Sequence, residues 1–573
     1  MLKSAEKEKK TYSKKIAQGG KKKRKADSQP RLLARVNREA VLVISLLALM
    51  AAQMIYMARV KSVTMDEPNH IARGVTYLRL GDLRLGRLHP PLINLVSALP
   101  VAMDSSVALP LDSPYWERSD LGGFANEFLW KANTNTQSIL FRARLPIIAL
   151  ALLLALVVYA WARELYGKKA GLLALTLTAF SPNILAHGSL ATNDLGFTFF
   201  AVLSAYTFWR WLRQPDWKRA MIASLCFGLA MATKYSAFFL IPALPLTAIA
   251  YWMTDPAEEK PLRKILRFSA WLVVIALAGA LTVWAVYGFR VGQIKGEGWT
   301  LPAPAYIAEL KVAANRIEKG NPTFLLGSHS RTGWWYYFPV TFAVKTPLPT
   351  LALIFASLVY VCRKRVWRDG LPLLIPVAIY FAGSMMSPLN IGYRHLLPAL
   401  AFLIIFASQM GEVLFKAKSK LVWGAVALIV WLTISVGSTF PHHLAYFNEA
   451  IGGMSNSYKV LVDSNLDWGQ DLIGLKEYMQ REGIEKVKLS YFGSAEPGVY
   501  QIDYEPLPGY PRYQYNQDII PPVLSNPEPG VYAISATCLQ GGFFSNKDLF
   551  KWFRDREPDA VIGHSIFIYR HKR

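Results

Sequence analysis

About eleven apolar stretches lie between residues 40 and 438, and they constrain the fold more than anything else in the chain. They fall at 40–60, 146–161, 170–187, 197–212, 221–232, 238–253, 268–287, 348–362, 371–386, 396–409 and 421–438. A membrane-spanning helix needs roughly 20 mostly apolar residues at about 1.5 Å each. Several of these stretches are short or contain proline. Hydrophobic residues make up 53% of the 573 and charged residues only 18%, which excludes disorder for most of the chain. The three cysteines, Cys226, Cys362 and Cys538, are too widely separated for a disulfide scaffold. What remains is a polytopic, all-α membrane protein with a soluble appendage.

Lys and Arg near the ends of spans favour the cytoplasmic side. Six basic segments alternate with the apolar ones: the N-terminal tail, 163–169, 210–219, 260–267, 363–368 and 416–420. Eleven spans with the N-terminus inside put all six on one face. Residues 61–145, 188–196, 233–237, 288–347, 387–395 and everything beyond about 439 then face outward. The organisation this predicts is a basic cytoplasmic tail at 1–38, a transmembrane catalytic domain at 39–440 with large external loops at 61–145 and 288–347, and a small extracytoplasmic α/β domain at 441–573. The "KKKRK" run (21–25) reads as a membrane-orienting tail rather than a nucleic-acid patch. The first span starts too late, and lacks the small-residue site, to be a cleavable signal peptide. Beyond residue 440, strands are expected at 458–463, at "KVKLSYF", at "GVYAISAT" and at 560–571, with helices at 469–482 and "KDLFKWFRDR".

Function in a membrane protein concentrates where charge appears against the grain. Arg142, Arg144, Lys234, Lys345, Arg394 and His395 all lie in outward connections, where cations are not expected. Each could snorkel to the interface. Together on one face they suit a shared anionic ligand, with phosphate the obvious candidate. The acidic counterpart is "TMDEPNH" (64–70), with adjacent Asp66 and Glu67; His70 follows, and His89 lies in "GRLHPPL". The spacing of these groups forms no tight metal-ligand motif. A carboxylate acting as general base is simpler, and the bland reading is that Asp66 caps the following helix. Asp194, at the outer start of the fourth span, is either a favourable N-cap acid or a second acid facing the same cavity. The segment 89–101 suits a short helix in the outer interface. "DSNLDWGQD" (463–471) fails the calcium-loop pattern, since Trp468 stands where glycine is needed, and reads as a strand-to-helix turn. No suitably placed nucleotide-binding glycine motif occurs, so ATP-driven transport has no support.

These residues resemble a known family, the polytopic GT-C glycosyltransferases, and specifically the protein O-mannosyltransferases (glycosyltransferase family 39) and their bacterial relatives that use a phospholipid carrier. The resemblance covers about residues 40–440 and the start of the tail. It is carried by Asp66-Glu67, "YLRLGDLRLGRLHPPL" (77–92), "ARLP" (143–146), "MATKYSAFFLIP" (231–242), "TGWWYYFPVTFAVKTPLP" (332–349), "GYRHLLP" (392–398) and "VDSNLDWGQDL" (462–472). It implies a monosaccharide donor on a polyprenyl phosphate, transfer with inversion on the extracytoplasmic face, and the acid matching Asp66 as catalytic base. No metal or other cofactor is expected, although some GT-C enzymes use a divalent ion that Asp194 could help bind. In the similar aminoarabinose transferases a lysine precedes the "PP" pair where this chain has His89, which leaves a phosphate role for His89 in doubt, since neutral imidazole is a weaker anchor.

The expected catalytic residues are Asp66 and Glu67, with Arg394, Lys345, Lys234, His89 and His395 as phosphate anchors and Asp194 as the candidate second acid. The expected partners are the lipid-linked donor, a hydroxyl acceptor such as protein Ser or Thr, and the bilayer, without nucleic acid. A bacterial plasma membrane fits the tail motif and the few cysteines. The competing reading, a transporter or flippase for a polyprenyl-linked glycan, would put charges along the middle of spans, where this chain has almost none.

Overall fold

The computed structural model describes residues 37–86, 88–254, 261–294, 298–416, 420–509 and 523–572. The "KKKRK" run and nearly all of the basic tail lie outside the described residues. Each of the eleven apolar stretches falls on helix. Five helical stretches are long and apolar enough to cross a membrane: Arg38–Val60, Thr136–Tyr166, Tyr235–Met253, Phe268–Val286 and Tyr393–Leu414. Counting each bent pair as one span gives up to seven. Lys168–Ala179 and Pro182–Gly188 meet at 62°, and Tyr337–Lys345 and Leu348–Lys364 at 114°. The sharper bend has a local cause. Thr346 precedes Pro347 and sits in the extended region (φ −94°, ψ 133°), as the residue before a proline prefers.

By length and composition alone, five to seven spans are found among the described residues. Leu371–Met386 has 16 residues and Leu421–Gly437 has 17. At about 1.5 Å per residue they reach roughly 25 Å, short of a hydrocarbon core of about 30 Å.

The helix Leu397–Ala407 is buried on every side, as an all-round apolar helix must be. Thr136–Tyr166 buries Ile147, Ala151, Leu154, Ala155, Val158 and Ala162 as one stripe and packs against Lys168–Ala179 and Asn193–Arg213. In the first large loop, Glu67–Leu80 crosses Leu92–Ala102 at Gly74, where a Cβ would fall 2.2 Å from the Asn94 carbonyl oxygen. The second of these helices is the segment expected in the interface. It buries Ile93, Asn94, Ser97, Ala98 and Val101 and leaves Leu99 exposed.

Two short hairpins, β1 (Val291–Gln293) with β2 (Thr300–Pro302) and β3 (Thr323–Leu325) with β4 (Ser328–Ser330), flank the helix Pro304–Lys319. The tail forms a five-stranded sheet of β5 (Lys486–Ser490), β6 (Asp503–Pro506), β7 (Gly530–Ser535), β8 (Ala560–Ile562) and β9 (Ile566–His571), in the order β6-β5-β7-β9-β8. β5 runs parallel to β6 and β7, and β9 antiparallel to β7 and β8. The expected strand at 458–463 is instead 3-10 helix and irregular chain. The expected closing strand is a hairpin, because Gly563 and His564 turn through left-handed φ. Alternate residues of the sheet enter different cores. Tyr532, Ile534, Phe567 and Tyr569 join the core of the helical body. Ala533, Ile566 and Ile568 join Ile71, Val75 and Phe124 of the first loop. The tail and the first large loop therefore share a core.

Candidate functional site

Asp66 stands at the N-cap of Glu67–Leu80 but makes no side-chain capping bond. Its Oδ2 instead accepts from Arg394 Nη1 at 2.7 Å, across 328 residues of sequence. Arg394 arrives on the 3-10 turn Tyr393–Leu396 at the head of the buried central helix. It lies 3.7 Å from Asp194 Oδ2, and its guanidinium stacks 4.3 Å from the centre of the Trp468 ring. Its Nε is buried without an acceptor among the described residues. Asp194, in the first turn of Asn193–Arg213, takes Lys234 Nζ at 2.6 Å, and both side chains are buried. The expected cluster of an acid, a second acid and two of the cations is thus one connected set. Asp66 also lines a cavity of about 300 Å³ together with Asn69, His70, Arg73, His89 and Asp120.

Two expected site residues are used otherwise. Glu67 is completely buried. Arg144 grips it with Nε on Oε1 at 2.8 Å and Nη2 on Oε2 at 2.7 Å. The Thr64 and Ala191 amides and the Thr64 hydroxyl occupy the same two oxygens. Arg144 spends its remaining hydrogens on the carbonyls of Ala58, Lys61 and Ser62. Glu67 has no face left for a substrate; it fixes the segment that presents Asp66. Lys345 is equally committed. Its three ammonium hydrogens go to the carbonyls of Leu444 (2.9 Å), Tyr446 (3.1 Å) and Asn465. It therefore staples a helix end to the tail and is not a free phosphate anchor.

The histidines divide. The rings of His89 and His70 stack 6.3 Å apart, and His89 Nδ1 is buried without a partner among the described residues. Burial pushes the His70 imidazole down to about 4, against the pull of Asp66, and pushes His89 well below its ordinary value. Both are neutral at neutral pH and can offer hydrogen bonds but no charge. His395 lies beside Phe338, with rings 6.3 Å apart, and is not among the cavity's lining residues. Arg142 bridges to Asp104 at 2.5 Å, away from this cluster.

Sequence reasoning missed three contributors. Arg73 Nη2 binds Glu309 Oε1 at 2.9 Å, which ties Pro304–Lys319 to the cavity wall. Glu309 was hidden because its partner lies 236 residues away. The other two are Trp468 and Asp463 of the "DSNLDWGQD" loop, whose pattern reads as a strand-to-helix turn. That loop braces both halves of the site. The Met65 amide donates to Trp468 O and the Ser62 amide to Gln470 O, each at 3.0 Å. On the other side the Tyr393 amide donates to Asn465 Oδ1 at 2.9 Å, and the Ser464 hydroxyl donates to Ile391 O. Gly392, at φ +126°, permits this approach, since a Cβ there would run into Ser464 Oγ.

A family model described as "Dolichyl-phosphate-mannose-protein mannosyltransferase" matches residues 135–287. That stretch includes Arg144, Asp194 and Lys234 but neither Asp66 nor Arg394. Two of the motifs, 143–146 and 231–242, lie inside that stretch, and the match supports the GT-C resemblance. A curated protein of Aquifex aeolicus (strain VF5), described as uncharacterized, is 28% identical over 134 residues, 23% of this chain and 26% of that one. The match thus spans about a quarter of the curated relative. Among solved structures, ArnT from Cupriavidus metallidurans bound to undecaprenyl phosphate aligns at TM-score 0.47 and 13% identity, over 92% of this chain and 98% of that one. The oligosaccharyltransferase AglB from Archaeoglobus fulgidus, in complex with an inhibitory peptide and a dolichol-phosphate, aligns at TM-score 0.40 and 13% identity, over 70% and 55%.

Proposed function

We propose that the chain is an inverting glycosyltransferase that moves a monosaccharide, mannose or another hexose, from a polyprenyl-phosphate carrier to an acceptor hydroxyl. In this reading the basic tail is cytoplasmic, and the first large loop and the C-terminal sheet are extracytoplasmic. The short and bent helices complete the passage of the chain through the bilayer to eleven crossings. The acceptor is a hydroxyl such as that of protein Ser or Thr. The observation that carries the reading is the 2.7 Å contact between Asp66, which lines the cavity, and Arg394.

The geometry suggests an order of events. In the resting site Arg394 occupies Asp66 Oδ2 and Lys234 is held by Asp194. A phosphate that engages Arg394, using its unpartnered Nε, draws the guanidinium from Asp66 and leaves that oxygen open to the acceptor. Asp66 then takes the acceptor's hydroxyl proton. The bond from the sugar's anomeric carbon to the new oxygen forms as the bond to the phosphate oxygen breaks, and the electron pair leaves with the phosphate. Negative charge that builds on the bridging oxygen is met by Arg394 and, through the Asp194 link, by Lys234. The leaving group is a stable anion, so one base suffices and the chemistry calls for no cofactor.

The test is transfer by the full-length protein in proteoliposomes supplied with a panel of undecaprenyl-phosphate-linked hexoses. Asp66→Asn is expected to abolish transfer while undecaprenyl phosphate still binds. Transfer at the unmodified protein's rate in that variant refutes the mechanism.

A further inference from the structure

Asp463 faces Arg394 from the tail loop and, unlike Asp66 and Asp194, has no cation within ion-pair distance among the described residues. Its side chain accepts one hydrogen bond, from the Ser464 amide at 2.5 Å. Its backbone lies at φ +59°, a left-handed conformation that costs a non-glycine residue energy unless its surroundings impose it. Here they do. The Asp463 amide donates to Thr537 Oγ1 at 3.1 Å. Its carbonyl accepts from the amides of Leu466 and Asp467 at 2.8 and 2.9 Å. The next two residues are bolted to the turn that carries Arg394.

The charged groups that face Asp463 come from each neighbouring element. Arg394 comes from the head of the central helix and Asp66 from the N-cap of Glu67–Leu80. Arg316 comes from Pro304–Lys319 and also binds Asn321 Oδ1 at 3.0 Å. Asp467, on the same loop, is engaged by the Thr537 amide at 2.9 Å. Asp66 and Asp194 are paired with Arg394 and Lys234, whereas Asp463 faces Arg394 and Arg316 without reaching ion-pair distance of either among the described residues. A phosphate at Arg394 adds another negative charge to a partly buried space. Like charges in such a space favour the neutral form of the acid that lacks a cation. Burial already pushes the Asp463 carboxyl up to about 7, with Arg394 opposing and Asp66 adding to the shift.

We infer that Asp463 binds a proton when a polyprenyl phosphate occupies Arg394 and releases it when that phosphate leaves, so that the tail loop couples carrier occupancy to protonation. The inference rests on the proposed lipid-phosphate reading of the site but goes beyond it. It assigns a proton-coupled positioning role to a tail residue that the transfer chemistry itself does not use.

The experiment is the affinity of the full-length protein in nanodiscs for undecaprenyl phosphate, followed from about pH 6 to about pH 9, around the ordinary range of such a shifted carboxyl. One linked proton makes the dissociation constant rise by up to about tenfold per pH unit above about 7. Asp463→Asn mimics the protonated form, and Asn tolerates left-handed φ better than most residues. It is expected to keep its affinity across that range, apart from the ligand's own ionisation, which both proteins share. Asp463→Gly, which relieves the backbone, is expected to lose the pH dependence in the same way. A pH profile in both variants equal to that of the unmodified protein overturns the inference and leaves the function intact. Failure of the unmodified protein to bind undecaprenyl phosphate at any pH overturns both.

Discussion

Glu67 and Asp66 are neighbours in sequence, and the structure separates their tasks sharply enough to predict opposite phenotypes. Both Glu67 and Arg144 are completely buried. Two donors converge on Glu67 Oε1, Arg144 Nε and the Ala191 amide, each at 2.8 Å. Three converge on Oε2: Arg144 Nη2 at 2.7 Å, the Thr64 amide at 2.8 Å and the Thr64 hydroxyl at 3.0 Å. In Glu67→Gln one oxygen becomes an NH2 group, which meets at least two donors and offers none of them an acceptor. Removing one member of a buried pair costs about 3–5 kcal/mol, and each stranded donor costs about 1–3 kcal/mol. A loss of at least about 4 kcal/mol, roughly a thousandfold in the folding equilibrium, is expected. The assay is thermal unfolding in detergent micelles alongside transfer activity normalised to folded protein. Glu67→Gln should unfold at much lower temperature while its folded fraction turns over within a few-fold of the unmodified protein. Asp66→Asn should unfold normally and not turn over. A Glu67→Gln protein that is fully stable yet inactive would refute the assignment and restore Glu67 to the chemistry.

Two further outcomes follow from buried groups. Lys345→Met strands the carbonyls of Leu444, Tyr446 and Asn465 and is expected to lower stability by about 3 kcal/mol or more without changing the KM for the lipid-linked donor; a KM increase of about 100-fold in a stable protein would make Lys345 a ligand after all. Burial holds the Asp467 carboxyl up to about 8, with Asp471 and Asp463 adding to the shift, against about 3.9 in the unfolded chain. The folded state therefore retains a proton that the unfolded state has lost, and stability falls as pH rises from about 4 to about 8. Asp467→Asn removes that loss, so its gain in unfolding temperature over the unmodified protein should be larger at about pH 8.5 than at about pH 5, and an equal gain at both contradicts the assignment.

The parts of the site that were legible in the sequence are those whose charge conflicts with a membrane. Asp66, Asp194, Lys234 and Arg394 each sit at the end of an apolar stretch, and a charge there needs a reason. Glu67 and Lys345 drew attention by the same logic, but their partners could not be read. Arg144 lies 77 residues from Glu67, and the carbonyls around Lys345 are about 100 residues away and carry no side-chain signature at all. Hydrophobic runs located the apolar helices of the body because apolar content is local, but not loop helices such as Leu121–Trp130 and Pro304–Lys319. They do not fix the number of full-length spans, because length and bending depend on where prolines such as Pro347 and Pro182 interrupt the chain. β5, β7 and the β8–β9 stretch are visible as apolar runs, since both faces of the sheet are covered there, whereas the polar β6 carries no such signal. The loop at 463–471 was misread because its hydrogen bonds reach distant backbone rather than its own helix.

That loop also sets the order in which the site can be completed. The backbone of residues 62–65 and the turn before Arg394 are each tied to residues 464–470, which a ribosome makes only after every apolar helix has emerged. A nascent chain halted before Asp463 would hold the helices from Arg38 to Gly437 and still lack the ties between residues 62–65 and the turn before Arg394. Competence thus arrives late in biosynthesis, once the tail has joined the first loop on the same side of the bilayer, and a protein cut short there would sit in the membrane inert rather than half-working.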